Sequence, residues 1–213
     1  MTGSRTQPRG AIAYRGPRDS IYLNLTNRCS ASCSFCVRDW SDGVYGAYLV
    51  LESEPELDDV TAAVEREYLD GPAPEVVFCG LGEPTMRLDL VLGVTEWLRV
   101  RRIASRLDTN GHGSLVNPGV DVPAALAAAG LDSVSLSLNA ADPATYESLC
   151  RPVFDKAYRA VIKFTEECIR QNVETTVTAV DHPDVDLEGC EALARQLGAQ
   201  FRVRALVSPP EGK

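Results

Sequence analysis

The chain has 213 residues, with 21 Lys and Arg against 30 Asp and Glu, which gives a net charge of −9. Its content of 45% hydrophobic and 24% charged residues lies near the globular average, so an intrinsically disordered or fibrous chain is excluded. A chain this acidic is also a poor general binder of nucleic acid, because phosphate contacts need clustered Lys and Arg.

The first 20 residues predict an N-terminal extension rather than a targeting segment. They carry four arginines and no apolar run of the kind that a secretory signal needs. Elsewhere, no stretch approaches the roughly 18–20 apolar residues that span a bilayer. We therefore expect a cytoplasmic protein that makes no contact with a membrane.

Six short apolar segments predict strands, and each is followed by a turn or a helix. The predicted strands are residues 21–25, 75–79, 105–108, 133–138, 173–180 and 201–206. Apolar side chains at helical spacing predict the helices, which are residues 57–68, 88–103, 124–129, a short helix from 143, 155–172 and 187–197. This alternation is typical of a parallel sheet covered by helices. We expect one core domain over residues 21–206, either an open sheet or part of a (β/α) barrel, followed by a tail of residues 207–213.

Two local patterns give finer predictions. Ser53, followed three residues later by Glu56, predicts a capping box at the start of the first helix. A basic run is typical of a solvated helix face, with a partner or phosphate contact as the alternative. That run consists of Arg99, Arg101, Arg102 and Arg106.

Turn-forming and small polar residues follow four of the predicted strands. The segments are the cysteine cluster at 29–36, then Gly80 to Thr85, Thr109 to Gly111, and Ser137 to Asn139. Each turn alone is explained by ordinary turn chemistry. Because the carboxyl ends of parallel strands meet at one edge, four such turns together predict a ligand-binding rim.

The cysteine pattern predicts a metal centre with an open position. Cys29, Cys33 and Cys36 lie within eight residues, while the other four cysteines are scattered along the chain. A structural zinc site normally has four protein ligands in two pairs, and a ferredoxin cluster needs a fourth cysteine at suitable spacing. An odd total of seven also argues against a fully paired disulfide framework. Three ligands leave one position open, and an open position usually marks chemistry.

Three motifs in chain order carry a resemblance to a known family. They are Cys29-x3-Cys33-x2-Cys36 with Phe35 before the last cysteine, Gly80-x-Gly82-Glu83-Pro84, and Thr109-Asn110-Gly111. Together they resemble the radical S-adenosylmethionine (SAM) superfamily. Longer runs at residues 22–29, 108–113, 137–140 and 146–152 resemble its TatD-associated subgroup. The resemblance covers about residues 21–206 and implies an α/β fold, a partial (β/α)6 TIM-like barrel with parallel strands.

The resemblance implies two cofactors. A [4Fe–4S] cluster would be held by Cys29, Cys33 and Cys36, and SAM would chelate the fourth iron. An electron from an external donor of the flavodoxin or ferredoxin type would then break the S–C5′ bond of SAM. The product, a 5′-deoxyadenosyl radical, would abstract hydrogen from a substrate.

The resemblance also implies which residues contact SAM. Glu83 would bind the methionine amine, and Gly80 and Gly82 would let the backbone approach the cofactor. The remaining candidates are Phe35 beside the adenine, Ser137 and Asn139 at the ribose hydroxyls, and Asn110 as a looser candidate.

The remaining cysteines and the histidines have less specific interpretations. Cys168 and Cys190 lie on apolar helix faces and are expected in the core. Cys79 is expected to be a packed strand residue, although it precedes the glycine motif. Cys150 is interpreted as a packing residue, with a hydrogen donor or a covalent anchor as the alternatives. His112 is interpreted as a substrate contact, and His182 as a turn residue.

Several functions remain open from the sequence. The leading hypothesis is a radical SAM enzyme whose substrate is unidentified and could be macromolecular, with a functional link to a TatD-like hydrolase. Alternatives are a glycyl-radical-enzyme activase and a tRNA- or peptide-modifying radical SAM enzyme. A structural or electron-transfer metal protein is the alternative that is not an enzyme.

Overall fold

The structure is a computed structural model that describes residues 10–207. Residues 1–9 of the expected extension and 208–213 of the expected tail lie outside the described residues. The strands are β1 (Ala13–Arg15), β2 (Ile21–Asn24), β3 (Gly43–Val44), β4 (Ala47–Tyr48), β5 (Val76–Cys79), β6 (Ser105–Thr109), β7 (Ser133–Ser137), β8 (Glu174–Val180) and β9 (Gln200–Arg204). The helices are α1 (Leu57–Leu69), α2 (Leu88–Val100), α3 (Gly113–Val116), α4 (Val122–Ala129), α5 (Pro143–Cys150), α6 (Ala157–Arg170) and α7 (Leu187–Leu197).

The central sheet has seven strands in the order β1-β2-β5-β6-β7-β8-β9. Six strands of this sheet are parallel to one another: β2, β5, β6, β7, β8 and β9. β1 pairs with the free edge of β2 in the antiparallel direction. β3 and β4 form a separate two-stranded hairpin. The predicted α/β fold with six parallel strands is confirmed.

One face of the sheet packs against the helices. Leu23, Phe78, Leu107 and Leu136 have no exposed surface and share a single apolar core with side chains of the helices. Because successive side chains of a strand point to opposite faces, the residues between them line the other face. We call that other face the inner face; it includes Tyr22, Arg106, Asp108, Ser135, Ser137, Thr178, Arg202 and Arg204.

The single helix-side core decides between the two architectures that the sequence left open. A doubly wound sheet would have helices, and therefore an apolar core, on both faces. Here the inner face is polar, with a smaller apolar cluster around Tyr14, Leu49 and Leu81 where β1 and the hairpin meet it. This arrangement is a partial barrel, and its inner face is the interior of that half-barrel.

The structure corrects two local predictions. The first helix begins at Leu57, and its capping box joins Glu56 to Asp59 instead of Ser53 to Glu56. The basic run is not one helix face, because α2 ends at Val100 and Arg106 lies in β6. The Arg106 side chain is only 14% exposed and pairs with Glu75 across the sheet.

Two further observations complete the fold. Sequence analysis did not predict β1, the β3–β4 hairpin or α3, in which each element has between two and four residues.

Within residues 10–207, no helix is long and apolar enough to cross a membrane.

Candidate functional site

The loop after β2 carries three cysteines, and its backbone is held against the end of α5. The amide of Ser32 donates to the carbonyl of Cys150 at 3.2 Å, and that of Ser34 donates to Leu149 at 2.8 Å. Val153 returns a bond from its amide to Ser30 at 3.0 Å. We call residues 29–36 the cysteine loop; backbone hydrogen bonds hold it against residues 149–153.

The three thiols of this loop are half-buried, and one of them contacts a fourth cysteine. Burial raises the pKa of Cys29 to about 11. The thiols of Cys33 and Cys150 form a hydrogen bond, which together with burial raises the pKa of Cys33. Within residues 10–207, no three His, Cys, Asp or Glu side chains converge as a metal site. To bind a metal centre, the Cys33 thiol must exchange its hydrogen bond with Cys150 for the metal.

Glu83 is almost fully buried, at 3% exposure, and connects two loops of the sheet edge. Its Oε1 accepts hydrogen bonds from the amide and hydroxyl of Thr85, at 3.1 and 2.8 Å, and from the Thr109 hydroxyl at 2.7 Å. Its Oε2 accepts one bond, from the Asn110 amide at 2.8 Å. Burial raises the pKa of Glu83, although these donors oppose it. Oε2 is thus the oxygen with acceptor capacity left.

Asn110 continues this network into the cysteine loop. Its Nδ2 donates to the Ser30 hydroxyl at 3.0 Å and lies 3.8 Å from the sulfur of Cys29. Ser30 also hydrogen-bonds to Nδ1 of His112 at 3.0 Å, and Nε2 of that ring bonds to the Tyr146 hydroxyl at 2.7 Å. A chain of side chains thereby joins the cysteine loop to the β6 edge and to α5.

His112 occupies the centre of this chain and has no exposed surface. Both ring nitrogens are engaged by protein groups, and burial lowers the pKa of His112 to about 4. The sequence suggested a substrate contact at this position. The structure gives the ring a positioning role instead, because a substrate cannot reach it without opening the packing.

The two glycines of the second motif lie against the segment that leads to the cysteine loop. A Cβ at Gly80, whose φ is +90°, would overlap the Asn24 side chain. A Cβ at Gly82 would overlap the backbone carbonyls of Thr26 and Arg28. Close approach of two protein segments therefore requires both glycines, whether or not a cofactor also approaches them.

Ser137 and Asn139 lie where β7 ends. Asn139 is buried with a φ of +59°, and its Oδ1 accepts bonds from the Val180 amide at 3.2 Å and from Nη2 of Arg204 at 3.0 Å. Its Nδ2 lies 3.9 Å from the sulfur of Cys150. The side-chain amide of Asn139 thus connects β8 and β9 to Cys150, which contacts the cysteine loop. Ser137 is half-buried.

Phe35 is half-buried, and its ring centroid lies 6.2 Å from that of His182. His182 does sit in a turn, where its Nδ1 accepts a bond from the Asp184 amide at 3.1 Å. The contact with Phe35 also places that turn beside the cysteine loop, which the sequence did not indicate.

The other cysteines fall into two groups. Cys168 and Cys190 have no exposed surface and belong to the helix-side core, as predicted. Cys79 ends β5 half-buried, and burial raises its pKa to about 12. Cys150 is buried but lies at the site, through its contacts with Cys33 and Asn139.

The structure brings the predicted residues of four strand ends together at one edge. Hydrogen bonds connect the cysteine loop with Glu83 through Asn110, and Asn139 approaches the same loop through Cys150. Sequence reasoning missed Ser30, Tyr146 and Arg204. Of these three, only Tyr146 could have been identified from the sequence, because it belongs to the run at 146–152 that carried the subgroup resemblance.

Comparison with known proteins matches the family model of the radical SAM superfamily over residues 23–197. GTP 3',8-cyclase 2 of Mycobacterium tuberculosis (strain ATCC 25618 / H37Rv) is 32% identical over 139 residues, which cover 62% of this chain and 34% of the relative. A probable GTP 3',8-cyclase of Methanothermobacter marburgensis is 28% identical over 153 residues, 70% of this chain and 45% of that protein. This chain spans between about a third and just under half of the length of these curated relatives.

Solved structures share the fold at low sequence identity. SuiB of Streptococcus suis bound to S-adenosylmethionine superposes with a TM-score of 0.62 at 17% identity, over 90% of this chain and 39% of SuiB. The protein anSMEcpe with bound AdoMet gives a TM-score of 0.66 at 16% identity, over 90% of this chain and 52% of the other. At these identities the likeness is one of fold.

Proposed function

The chain belongs to the radical SAM superfamily, whose enzymes use a [4Fe–4S] cluster and SAM, and on that premise we propose that it cleaves SAM reductively. The 5′-deoxyadenosyl radical so formed would abstract a hydrogen atom from a substrate. The observation that carries the proposal is the cysteine loop, ordered at the carboxyl edge of the half-barrel beside the buried carboxylate of Glu83.

The residues present fit the cluster by the chemistry of their donor set. Cys29, Cys33 and Cys36 are thiols of one short loop, and within residues 10–207 all seven cysteines are free. When bound, the cluster supplies the electron that breaks the S–C5′ bond. The protein's part is to hold the loop against residues 149–153 and to bury the side chains behind it, which excludes water from that side.

The contacts proposed for SAM use groups at the same edge. Oε2 of Glu83 accepts only the bond from Asn110, so it can also accept one from the methionine amine. Phe35 is proposed for the adenine, Ser137 and Asn139 for the ribose, and Asn110 as a further contact. Gly80 and Gly82 are proposed to leave room for the cofactor while they pack against the segment after β2.

Membership of the TatD-associated subgroup is a finer proposal. It is supported by the sequence resemblance of the runs at residues 22–29, 108–113, 137–140 and 146–152. We also propose a functional link to a TatD-like hydrolase, a macromolecular substrate, and an external electron donor of the flavodoxin or ferredoxin type. The curated relatives are GTP 3',8-cyclases, and a nucleotide is therefore one substrate to test.

Location and domain limits are also proposals. A cytoplasmic site suits seven free cysteines, because a reducing compartment keeps thiols available. We place the core domain at residues 21–206, with residues 1–20 as an extension whose strand β1 joins the central sheet, and 207–213 as a tail.

Anaerobic reconstitution with iron and sulfide, followed by dithionite and SAM, tests the function. The expected result is a brown protein that forms 5′-deoxyadenosine, with Cys33→Ala forming neither cluster nor product. Stoichiometric zinc in the isolated protein and no SAM cleavage after iron loading would instead support a structural metal protein. A glycyl-radical-enzyme activase would cleave SAM and also install a radical on a partner protein.

A further inference from the structure

The last strand places two arginines side by side on the inner face. Phe201 of β9 packs into the helix-side core, so Arg202 and Arg204 on either side of Val203 project to the inner face. Nη2 of Arg202 donates to the Ser135 hydroxyl at 3.2 Å. Both guanidinium groups therefore reach across the sheet toward β7 and β8.

Arg204 is half-buried and hydrogen-bonds only to neutral oxygens. Its Nε donates to the Thr178 hydroxyl at 3.1 Å, and its Nη2 donates to Oδ1 of Asn139 at 3.0 Å. Burial lowers the pKa of Arg204, as expected for a cation removed from water. Within residues 10–207, neither Arg202 nor Arg204 forms an ion pair with a carboxylate.

Arg106, the third arginine of this face, forms the ion pairs with carboxylates that Arg202 and Arg204 lack within the described part of the chain. It pairs with Glu75 at 3.1 Å and with Asp108. Asp108 is thereby committed to Arg106, although its charge is also felt by Arg202 and Arg204 at longer range. In a chain with nine more acidic than basic residues, two arginines without carboxylate partners on an inner face are unusual.

A guanidinium group is suited to bind a carboxylate or a phosphate through two parallel hydrogen bonds. An enclosed charge without a counter-ion is unfavourable, and an anionic ligand removes that penalty when it binds. We propose that Arg204, with Arg202 beside it, binds an anionic group, a carboxylate or a phosphate, of a ligand held inside the half-barrel. This inference rests on the proposed function and deepens it, because the anion belongs either to the substrate on which the radical acts or to SAM, and the test separates the two.

The position of Arg204 agrees with this assignment. Asn139 contacts both Arg204 and Cys150, and Cys150 contacts Cys33 of the cysteine loop. An anion on Arg204 would therefore hold its parent molecule close to the loop where the radical is formed.

The test measures anion binding by the full chain without a cluster. Inorganic phosphate and pyrophosphate are titrated calorimetrically into the wild type, Arg204→Gln, Arg204→Lys and Arg195→Gln. Arg195 is a matched control because it is 78% exposed and pairs with Glu191 on α7. We expect pyrophosphate to bind on the order of tenfold more weakly to Arg204→Gln, partial recovery in Arg204→Lys, and no change in Arg195→Gln.

Thermal unfolding of the ligand-free variants separates ligand binding from a structural role. If Arg204 binds a ligand, Arg204→Gln keeps or raises the melting temperature, because it removes a partly buried charge that no carboxylate of the described residues pairs with directly. A lower melting temperature together with unchanged anion binding would assign Arg204 to the support of Asn139 and Thr178, and would overturn the proposal.

A second arm identifies the source of the anion. SAM affinity is measured on the reconstituted wild type and on Arg204→Gln. Weaker pyrophosphate binding with unchanged SAM affinity assigns the site to the substrate; weaker SAM binding with no pyrophosphate effect assigns it to the SAM carboxylate. No effect in either arm overturns the proposal. Since the phosphate arm needs no cluster, a failure of SAM cleavage would overturn the proposed function and leave this result standing.

Discussion

Oε2 of Glu83 accepts a hydrogen bond from the backbone amide of Asn110 at 2.8 Å, which ties the loop after β5 to the loop after β6. Three further bonds from Thr85 and Thr109 hold the other oxygen. We expect Glu83→Ala to lower the free energy of unfolding by about 1–3 kcal/mol, because buried donors lose their acceptor. Denaturant unfolding of the cluster-free protein measures this.

The control for Glu83 is Glu65→Ala, on the exposed side of α1, for which a change within about 0.5 kcal/mol is expected. After reconstitution, Glu83→Ala should keep its iron and bind SAM more weakly. Loss of both iron and SAM binding would contradict the separate roles assigned to the carboxylate and the cysteines.

Gly82→Ala should disturb the site through packing alone. Its Cβ would overlap two backbone carbonyls, those of Thr26 and Arg28, which cannot rotate away. We expect a loss of about 3 kcal/mol of stability, in the range of overpacked sites, and reduced cluster assembly. Thermal unfolding and iron content are the two measurements.

Gly93→Ala is the matched control within the same chain. Gly93 lies in α2, and a Cβ there would meet only the Leu57 side chain, at 3.5 and 3.6 Å. Because alanine is the better helix former, a gain of about 0.5–1 kcal/mol is expected. Equal effects of the two substitutions would show that glycine at 82 is not needed for this packing.

His112 should make stability depend on pH. Its pKa falls from 6.5 to about 4 on folding, so the unfolded chain binds a proton more readily than the folded one. The contribution of His112 is therefore complete above pH 6.5 and is lost as the pH falls toward 4, by about 3 kcal/mol in total. The stability difference between wild type and His112→Gln, measured between pH 7 and 4.5, should shrink as the pH falls.

The control for this slope is His182→Gln, which removes the other histidine and leaves the chain from Ser30 through His112 to Tyr146 intact. Because His112 is intact in this variant, the loss of stability assigned to His112 should still appear between pH 7 and 4.5. A constant difference between wild type and His112→Gln at all pH values would contradict the assigned titration.

Cys33 and Cys150 touch each other, yet only Cys33 is proposed as a ligand. Cys33→Ala should prevent cluster assembly, while Cys150→Ala should reconstitute with wild-type iron content. Iron and sulfide analysis with the visible absorption spectrum measures both. If Cys150→Ala lost the cluster while its fold was retained, Cys150 would be a ligand in place of one of the three.

The six parallel strands could be predicted because each is a short apolar run between turns. Residues 187–197 were predicted as a helix and form α7 with those bounds, since a buried stripe and a final glycine define it. β1 and the hairpin could not be predicted, because segments of two or three residues show no periodicity. The basic run was wrongly interpreted as one helix face, because arginines that are close in sequence need not share one element; the strand predicted over residues 105–108 already contained Arg106.

The edge that gathers the site could also be predicted, since parallel strands place their carboxyl ends together. The partners within that edge could not. Ser30 and His112 are 82 residues apart, and His112 and Tyr146 are 34 apart, so their contacts depend on how loops pack in three dimensions. The same holds for Arg204, whose contacts with Thr178 and Asn139 follow from the register of β8 and β9.

The pairing of the cysteine loop with residues 149–153 makes metal binding and local opening linked equilibria. Backbone hydrogen bonds from Ser32 and Ser34 to this segment hold the loop in place, so whatever stabilises the segment also favours the loop conformation that presents the cysteines. A substitution at the end of α5 that frays this segment would then weaken iron retention without touching a ligand. Hydrogen exchange at the amides of Ser32 and Ser34 would report that opening directly, and slower exchange in the loaded protein would measure how strongly the cluster stabilises the contact between the loop and the end of α5.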